Sequence, residues 1–342
     1  MTPSNSTTAE QVRAYCAQIG TDPLLVQGPG GNVSWKQEGR VLWVKASGKW
    51  LAHAESQETF IALDLAQLRS EISRCNFKAT PKLISATKLL PSIETFLHAL
   101  MPHNVVIHLH AVEALSHLVR VDPEPTLKKL IRYGINWGYV NYFKPGAELA
   151  AAVADCLLLR PNIEVIFLQN HGVLIGGASV EHVDSILMAI LIDLKNPIVA
   201  RTTTPAPKDK LLTFRSPHYY PCGDNDITEL ATTKSLSSRL VNEWVLYPDH
   251  AVFLGAKAII LSQSPQMEQI DSNGVDEPMF IFDLGNCVYE HRLATAAQRA
   301  QLRCYYDVLI RQSTTSRLTP LSSAAVSELI DWDAEKYRKH HS

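Results

Sequence analysis

What this chain lacks narrows its function before any motif is read. None of its six cysteines (Cys16, Cys75, Cys156, Cys222, Cys287, Cys304) stands in a CxxC pair, which removes zinc ribbons and thioredoxin-type redox motifs. In a chain this long, without a recognisable export signal, they are expected as reduced thiols rather than disulfides. Charge of one sign is missing too: 32 Lys and Arg face 34 Asp and Glu. No basic field is left over for a nucleic-acid backbone, and no polybasic patch for an anionic membrane. The longest strongly apolar stretch, Ile186 to Ile192, falls far short of the roughly 20 residues that cross a bilayer. The opening MTPSNSTTAEQVR has no apolar run behind a basic start and does not read as a signal peptide. No GxGxxG fingerprint occurs, so no nicotinamide cofactor is expected. These absences leave a cytoplasmic globular protein, an enzyme or a small-molecule binding module.

With 342 residues, 46% of them apolar, the chain can build two domains with separate cores. One composition shift divides it. The run ARTTTPAPKDK (200–210) is rich in Thr, Pro and Lys, has no apolar periodicity and follows a helix-like stretch at 180–194. We expect a domain over residues 1–200, an extended linker over 201–225 and a small α+β domain over 226–342. In the first part, helices are expected at 10–19, 93–101, 148–159 and 180–194, and strands at 41–45, 105–110, 164–168 and 173–175. The 93–101 helix rests on Ile93, Phe96, Leu97, Leu100 and Met101, an amphipathic stripe, with Pro91-Ser92 suited to its start. In the second part, helices are expected at 228–244, 294–311 and 323–338, with strands in AVFLG, AIILS, FIFDLG and CVYE. Helices on a mixed sheet are the natural summary for the first domain.

The histidines carry the strongest chemical pattern. His108 and His110 flank Leu109 in VVIHLH, and on a strand positions i and i+2 point to the same face. His171 lies in the turn Asn170-His171-Gly172 after EVIFLQ, where the glycine lets the backbone turn sharply. A His-x-His pair alone is more often core or surface than ligand. Three histidines on rigid elements with an open fourth position make the pattern of a catalytic zinc site. Glu94, off the apolar stripe of its helix, could serve as fourth ligand or as general acid/base; a solvent-facing acid at a helix start is the plainer alternative. His98, one turn on, reads as structural. Two glycine turns, Gly28 to Ser34 and Ala46-Ser47-Gly48-Lys49, could bring backbone N–H groups to an anion, although neither matches a P-loop. Beyond residue 200, Asp249, His250, His218 and Asp283 read as turn and surface groups, with a second polar site, or a reach to the first, as the alternatives.

Taken in order, GGNVSWK (30–36), ASGKWL (46–51), PSIETFLHAL (91–100), VVIHLH (105–110) and QNHGVLIGG (169–177) resemble the class II aldolase/adducin family over residues 10 to 195. PSIETFLHALMP, YFKPGAELA and LYPDHAVFLG look most like the aldolase half of rhamnulose-phosphate aldolase/dehydrogenase proteins. The resemblance implies an α/β fold: a three-layer α/β/α domain with a mixed, largely antiparallel central sheet. It also implies a divalent metal, usually Zn2+, on His108, His110 and His171, with Glu94 as catalytic acid/base. Asn32, Ser47, Gly48 and Ser92 would hold a substrate phosphate. The implied reaction is aldol cleavage of a ketose phosphate or related sugar through a metal-stabilised enediolate. Family members are commonly oligomers, so a homo-oligomer, up to a tetramer, is the implied assembly. The scaffold also supports epimerases, dehydratases and decarboxylases of sugar acids and sugar phosphates, and its adducin branch is a non-catalytic interaction module. Retention of all three histidines and the glutamate argues against that last reading, since an idle buried polar cluster is costly.

Overall fold

The computed structural model describes residues 7–132, 134–199, 217–261 and 277–342. It divides into two compact units, Met1–Asn196 with Asp331–Ser342, and Pro197–Ile330. The segment Asp331–Ser342, expected in the C-terminal domain, thus belongs to the first unit. Most of the expected linker, residues 201–216, lies outside the described residues, and its remainder contains a strand.

The first unit opens with α1 (Thr8–Gly20), set by a capping box in which the Thr7 side chain accepts from the Glu10 N–H and the Glu10 side chain from the Thr7 N–H. It buries Val12, Tyr15, Cys16 and Ile19, the spacing of one helical face. There follow β1 (Asn32–Gln37), β2 (Val41–Lys45), β3 (Phe60–Asp64), α2 (Leu65–Ser73), α3 (Thr95–Leu100), β4 (Val105–Leu109), α4 (Val112–Leu118), α5 (Glu124–Leu130), β5 (Trp137–Val140), α6 (Ala147–Leu159), β6 (Val165–Leu168), β7 (Gly172–Gly177) and α7 (Val180–Asp193). The strands form one sheet in the order β3-β2-β1-β4-β7-β6-β5. Neighbours are antiparallel except β5 with β6.

Strand period decides which face each residue serves. On β4, Val105, Ile107 and Leu109 join Val12, Trp35, Val173 and Ile186 in one core. Val106 joins Leu97, Leu149, Ile166 and Leu174 in the core on the other side. Helices therefore cover both faces, and the first unit is a three-layer α/β/α domain around a mixed, largely antiparallel sheet. His108 shares a face with Val106 in this central, fully buried strand.

The second, smaller unit is α+β. It contains β8 (Tyr219–Pro221), α8 (Asn225–Thr232), α9 (Lys234–Asn242), α10 (Pro248–Leu254), β9 (Ile259–Leu261), β10 (Phe280–Asp283), β11 (Cys287–His291), α11 (Ala296–Leu309) and α12 (Ser323–Ile330). Its sheet runs β8-β11-β10-β9, with β9 and β10 parallel. The chain then returns to the first unit as α13 (Asp333–His340). All six cysteines are free thiols, and no helix among the described residues is long and apolar enough to cross a membrane.

Four local expectations are corrected. AVFLG is not a strand but the end of α10, where Pro248 occupies the first turn and Gly255 closes the helix at φ +84°. A short, wholly buried apolar run has no periodicity to separate helix from strand, and the flanking Pro and Gly were the informative residues. The helix expected at 228–244 breaks at Thr233, which is extended at ψ 114°. That at 323–338 breaks at 331–332, where Trp332 is extended. The helix expected from Ile93 begins only at Thr95, because Ser92 to Glu94 form a turn closed by the Thr95 N–H and hydroxyl on the Ser92 carbonyl, at 3.1 and 2.7 Å.

His250, expected near the surface, is fully buried on α10. Its ring sits 4.4 Å from Trp244, 4.7 Å from Tyr305 and 5.5 Å from Tyr247, centroid to centroid. Among the described residues neither ring nitrogen has a hydrogen-bond partner, and burial pulls its pKa down to about 3. The unfolded chain, with an ordinary histidine near 6.5, binds the extra proton first. Stability linked to this ring is complete above pH 6.5 and is lost on acidification toward 3, by about 1.4 kcal/mol per pH unit. His250→Phe should fill the same aromatic cage and flatten that loss. Thermal melting between pH 7.5 and 4.5 should show a smaller drop in midpoint for the variant; equal drops would refute the assignment.

Candidate metal centre

The centre is built where β1, β4 and β7 lie side by side. Register places Asn32 of β1 opposite His108 of β4, and His108 opposite Leu174 of β7. The His108 Nδ1–H donates to the Val173 carbonyl at 3.2 Å, because a carbonyl can only accept. That bond sets the tautomer and turns a basic Nε2 toward the interior, the arrangement a metal-ligating histidine uses. His110 follows β4 by one residue. His171 is carried by the β6–β7 turn, in which Asn170 adopts a left-handed conformation at φ 51° and the His171 N–H returns to the Leu168 carbonyl. The turn closes onto β4 so tightly that a Cβ on Gly172 would lie 2.3 Å from the Leu109 carbonyl oxygen and 3.3 Å from the His110 ring.

The three rings gather at centroid separations of 4.8 to 5.2 Å. One ligand nitrogen from each lies within 4.8 Å of the others. All three are buried, as is Glu94 at 5% exposure. The Glu94 Oε1 reaches the same point, 3.2 Å from His171 Nε2 and 3.6 Å from His108 Nε2. Its other oxygen, Oε2, accepts from Asn32 Nδ2 at 2.8 Å. Nor does Glu94 lie inside a helix; it stands at the N-terminal end of α3, in the turn where Ser92 Oγ accepts from its N–H at 3.2 Å. Three imidazoles and one carboxylate drawn together out of water form a donor set suited to a divalent cation, which would offset the buried negative charge.

The remaining expected residues fall around this cluster in specific ways. Ser47 and Gly48 lie in a turn joined to the 90–92 segment by the Ser47 N–H on the Leu90 carbonyl at 2.9 Å and by the Ala46–Pro91 bridge. Ser47, Gly48 and Ser92 therefore belong to adjacent turns. Asn32, expected on the phosphate, donates through its side-chain amide to Glu94. His98 is fully buried, its Nδ1 2.8 Å from Ser34 Oγ, and burial holds it neutral with a pKa of about 3. Asp249, His250, His218 and Asp283 form no common site. Asp249 accepts from Gln301 at 3.3 Å and Asp283 from Asn286 at 2.7 Å, while His218 lies 3.9 Å from Glu277.

One residue was missed altogether. Lys45 is 1% exposed, and its Nζ donates to the carbonyls of Pro29 and Lys49 at 2.7 and 2.6 Å, tying the two glycine turns together. Strand alternation puts it on the face of half-buried Val41 and Trp43, so periodicity offers no sign of its burial.

The chain belongs to the class II aldolase and adducin family: the family's Class II Aldolase and Adducin N-terminal domain matches residues 10–189. Among individual proteins, the uncharacterized oxidoreductase YuxG of Bacillus subtilis (strain 168) is 30% identical over 178 residues, covering 48% of this chain. The chain spans only 25% of that relative's length. Among solved structures, the N-terminal class II aldolase domain of a conserved protein from Thermoplasma acidophilum is 27% identical, with a TM-score of 0.48, covering 57% of this chain and 94% of its own. YgbL of Klebsiella pneumoniae, a putative aldolase/epimerase/decarboxylase, is 23% identical with a TM-score of 0.40, covering 55% of this chain and 89% of its own.

The Gly172 approach gives a direct check. Gly172→Ala should destabilise the first unit by about 1–3 kcal/mol, since the added carbon meets backbone. Gly39→Ala, at φ +65° but with nothing within 4 Å, should cost only the backbone strain of about 1–2 kcal/mol. Only the Gly172 variant should also disturb the histidine ring resonances in an NMR spectrum; undisturbed rings would show that the turn tolerates a side chain.

Proposed function

We propose that this protein is a metal-dependent lyase that cleaves a ketose phosphate or related sugar by retro-aldol chemistry. The observation that carries the reading is the convergence of a buried carboxylate, Glu94, on three buried imidazoles from the end of β4 and the β6–β7 turn. His108, His110 and His171 are the ligands for the ion, and the donor set suits zinc among other divalent metals. Once bound, such an ion supplies Lewis-acid polarisation of a substrate carbonyl.

The chain's own residues supply the rest. Retro-aldol cleavage breaks the carbon–carbon bond as the Glu94 carboxylate takes the hydroxyl proton, and the carbonyl-side fragment, left with the electron pair, receives that same proton at carbon. Glu94 Oε1 is the proton carrier for that last transfer, because it faces the cluster while Oε2 is anchored by Asn32. Asn32 is then a positioning residue, holding the carboxylate in one rotamer. Ser47, Gly48 and Ser92, on adjacent turns, are assigned to the substrate's phosphate end, where backbone N–H and hydroxyl groups donate to an anion.

Metal analysis and turnover test the assignment together. Wild-type protein purified without chelators should carry about one divalent ion per chain, and His108→Ala should lose it. Glu94→Gln should keep the ion yet cleave ketose phosphates about 10²–10⁴ times more slowly. A wild type that takes up no zinc, cobalt or manganese on dialysis, or a Glu94→Gln that keeps full activity, would sink the reading.

A further inference from the structure

The segment 331–342 has no part in the chemistry described so far, yet two glycines mark where it lies on the first unit. A Cβ on Gly48, at φ +77°, would meet the Cβ of His341 at 3.1 Å and its carbonyl oxygen at 3.2 Å. A Cβ on Gly146, at φ +94°, would meet the edge of the Trp332 ring at 3.1 Å and the Ile93 carbonyl at 3.7 Å. The segment therefore runs from Trp332, beside the turn that bears Glu94, to His341, on the turn that contains Ser47 and Gly48.

Its chemistry fits that place. Lys144 Nζ lies 4.9 Å from the Trp332 ring. The helix α13 opens with Asp333 and Glu335 and ends with Arg338, Lys339 and His340, followed by His341. The acids are matched internally, Glu335 by Arg338 at 2.7 Å and Asp333 by Lys336 at 3.7 Å. Positive charge is left at the end that touches Gly48. His341 is exposed, stacked on Tyr337 at 4.0 Å, and its Nδ1–H donates to the Tyr337 carbonyl at 2.9 Å. With Nδ1 committed to that carbonyl, Nε2 is the ring atom left to meet an anion, and it donates to one in the imidazolium form, which carries a proton on each nitrogen.

We propose that residues 331–342 wall the anion-binding end of the substrate site, with His341 as a recognition residue for the phosphate or other anionic group of the substrate. The inference rests on the assignment of the Ser47–Gly48 and Ser92 turns to that end of the substrate. It adds a specificity element to the fold that residues 10–189, the family's matched portion, do not contain.

Equilibrium binding of inorganic phosphate tests it, on the full chain, a chain ending at Ile330, His341→Ala and His341→Lys, with metal content measured on each. The expected result is unchanged metal content, at least fivefold weaker phosphate binding in the shortened chain, a smaller loss in His341→Ala and recovery in His341→Lys. Should the shortened chain fail to fold, the two His341 variants decide by the same comparison. Equal or tighter binding without the segment or the imidazole overturns the proposal, tighter binding marking the segment as a plug. A full chain that holds metal but no phosphate also overturns it and leaves the metal centre standing. Segment-dependent phosphate binding without metal uptake would do the reverse.

Discussion

A buried carboxylate organises the first unit. Glu94 is almost wholly removed from water, and an anion so placed is tolerated only with donors or cations around it. The fold answers with an amide from β1, a serine-closed turn at the start of α3, and imidazoles from β4 and the β6–β7 turn. None of these partners is a sequence neighbour of another. The sheet order β1-β4-β7 is the shortest way to bring them together, because Asn32 and His108 face each other across one strand pair and His171 precedes the strand on the other side.

Turn chemistry does as much as strand register. Gly31, at φ +66°, passes 2.9 Å from the His108 carbonyl by the measure of an added Cβ, and Gly172 passes the Leu109 carbonyl more closely still. These two approaches pin the β1 and β7 ends onto the His-x-His segment from opposite sides. Lys45 performs the same function for the two glycine turns by a different means, bridging their carbonyls with one buried ammonium. A lysine so used donates to two backbone carbonyls at once, satisfying acceptors that burial would make costly to leave unpaired.

The second unit has its own core, sheet and aromatic cage around His250, and the chain leaves it to end on the first unit. That return gives the segment 331–342 a place among residues of the aldolase domain from which it is distant in sequence. Family membership, which rests on residues 10–189, therefore accounts for the scaffold of the histidine–glutamate cluster but not for everything packed around it.

Much of the fold could be read directly from the residues. The strands 41–45 and 105–110, the helices near 10–19, 148–159 and 180–194, and the grouping of histidines by a period of two and a glycine turn are local properties, written in burial pattern and backbone preference. The family resemblance added the partners of those histidines, because five separated motifs in order are specific even when each alone is weak. Other features depend on contacts between segments far apart in the chain. The helix at AVFLG, the breaks at Thr233 and Trp332, the burial of Lys45 and His250, and the pairing of Asn32 with Glu94 belong to this class. So does the return of 331–342 to the first unit. Local sequence sets which backbone conformations are cheap; only the packed structure decides which polar atoms face each other once water is gone, and for a buried charge that difference amounts to several kcal/mol.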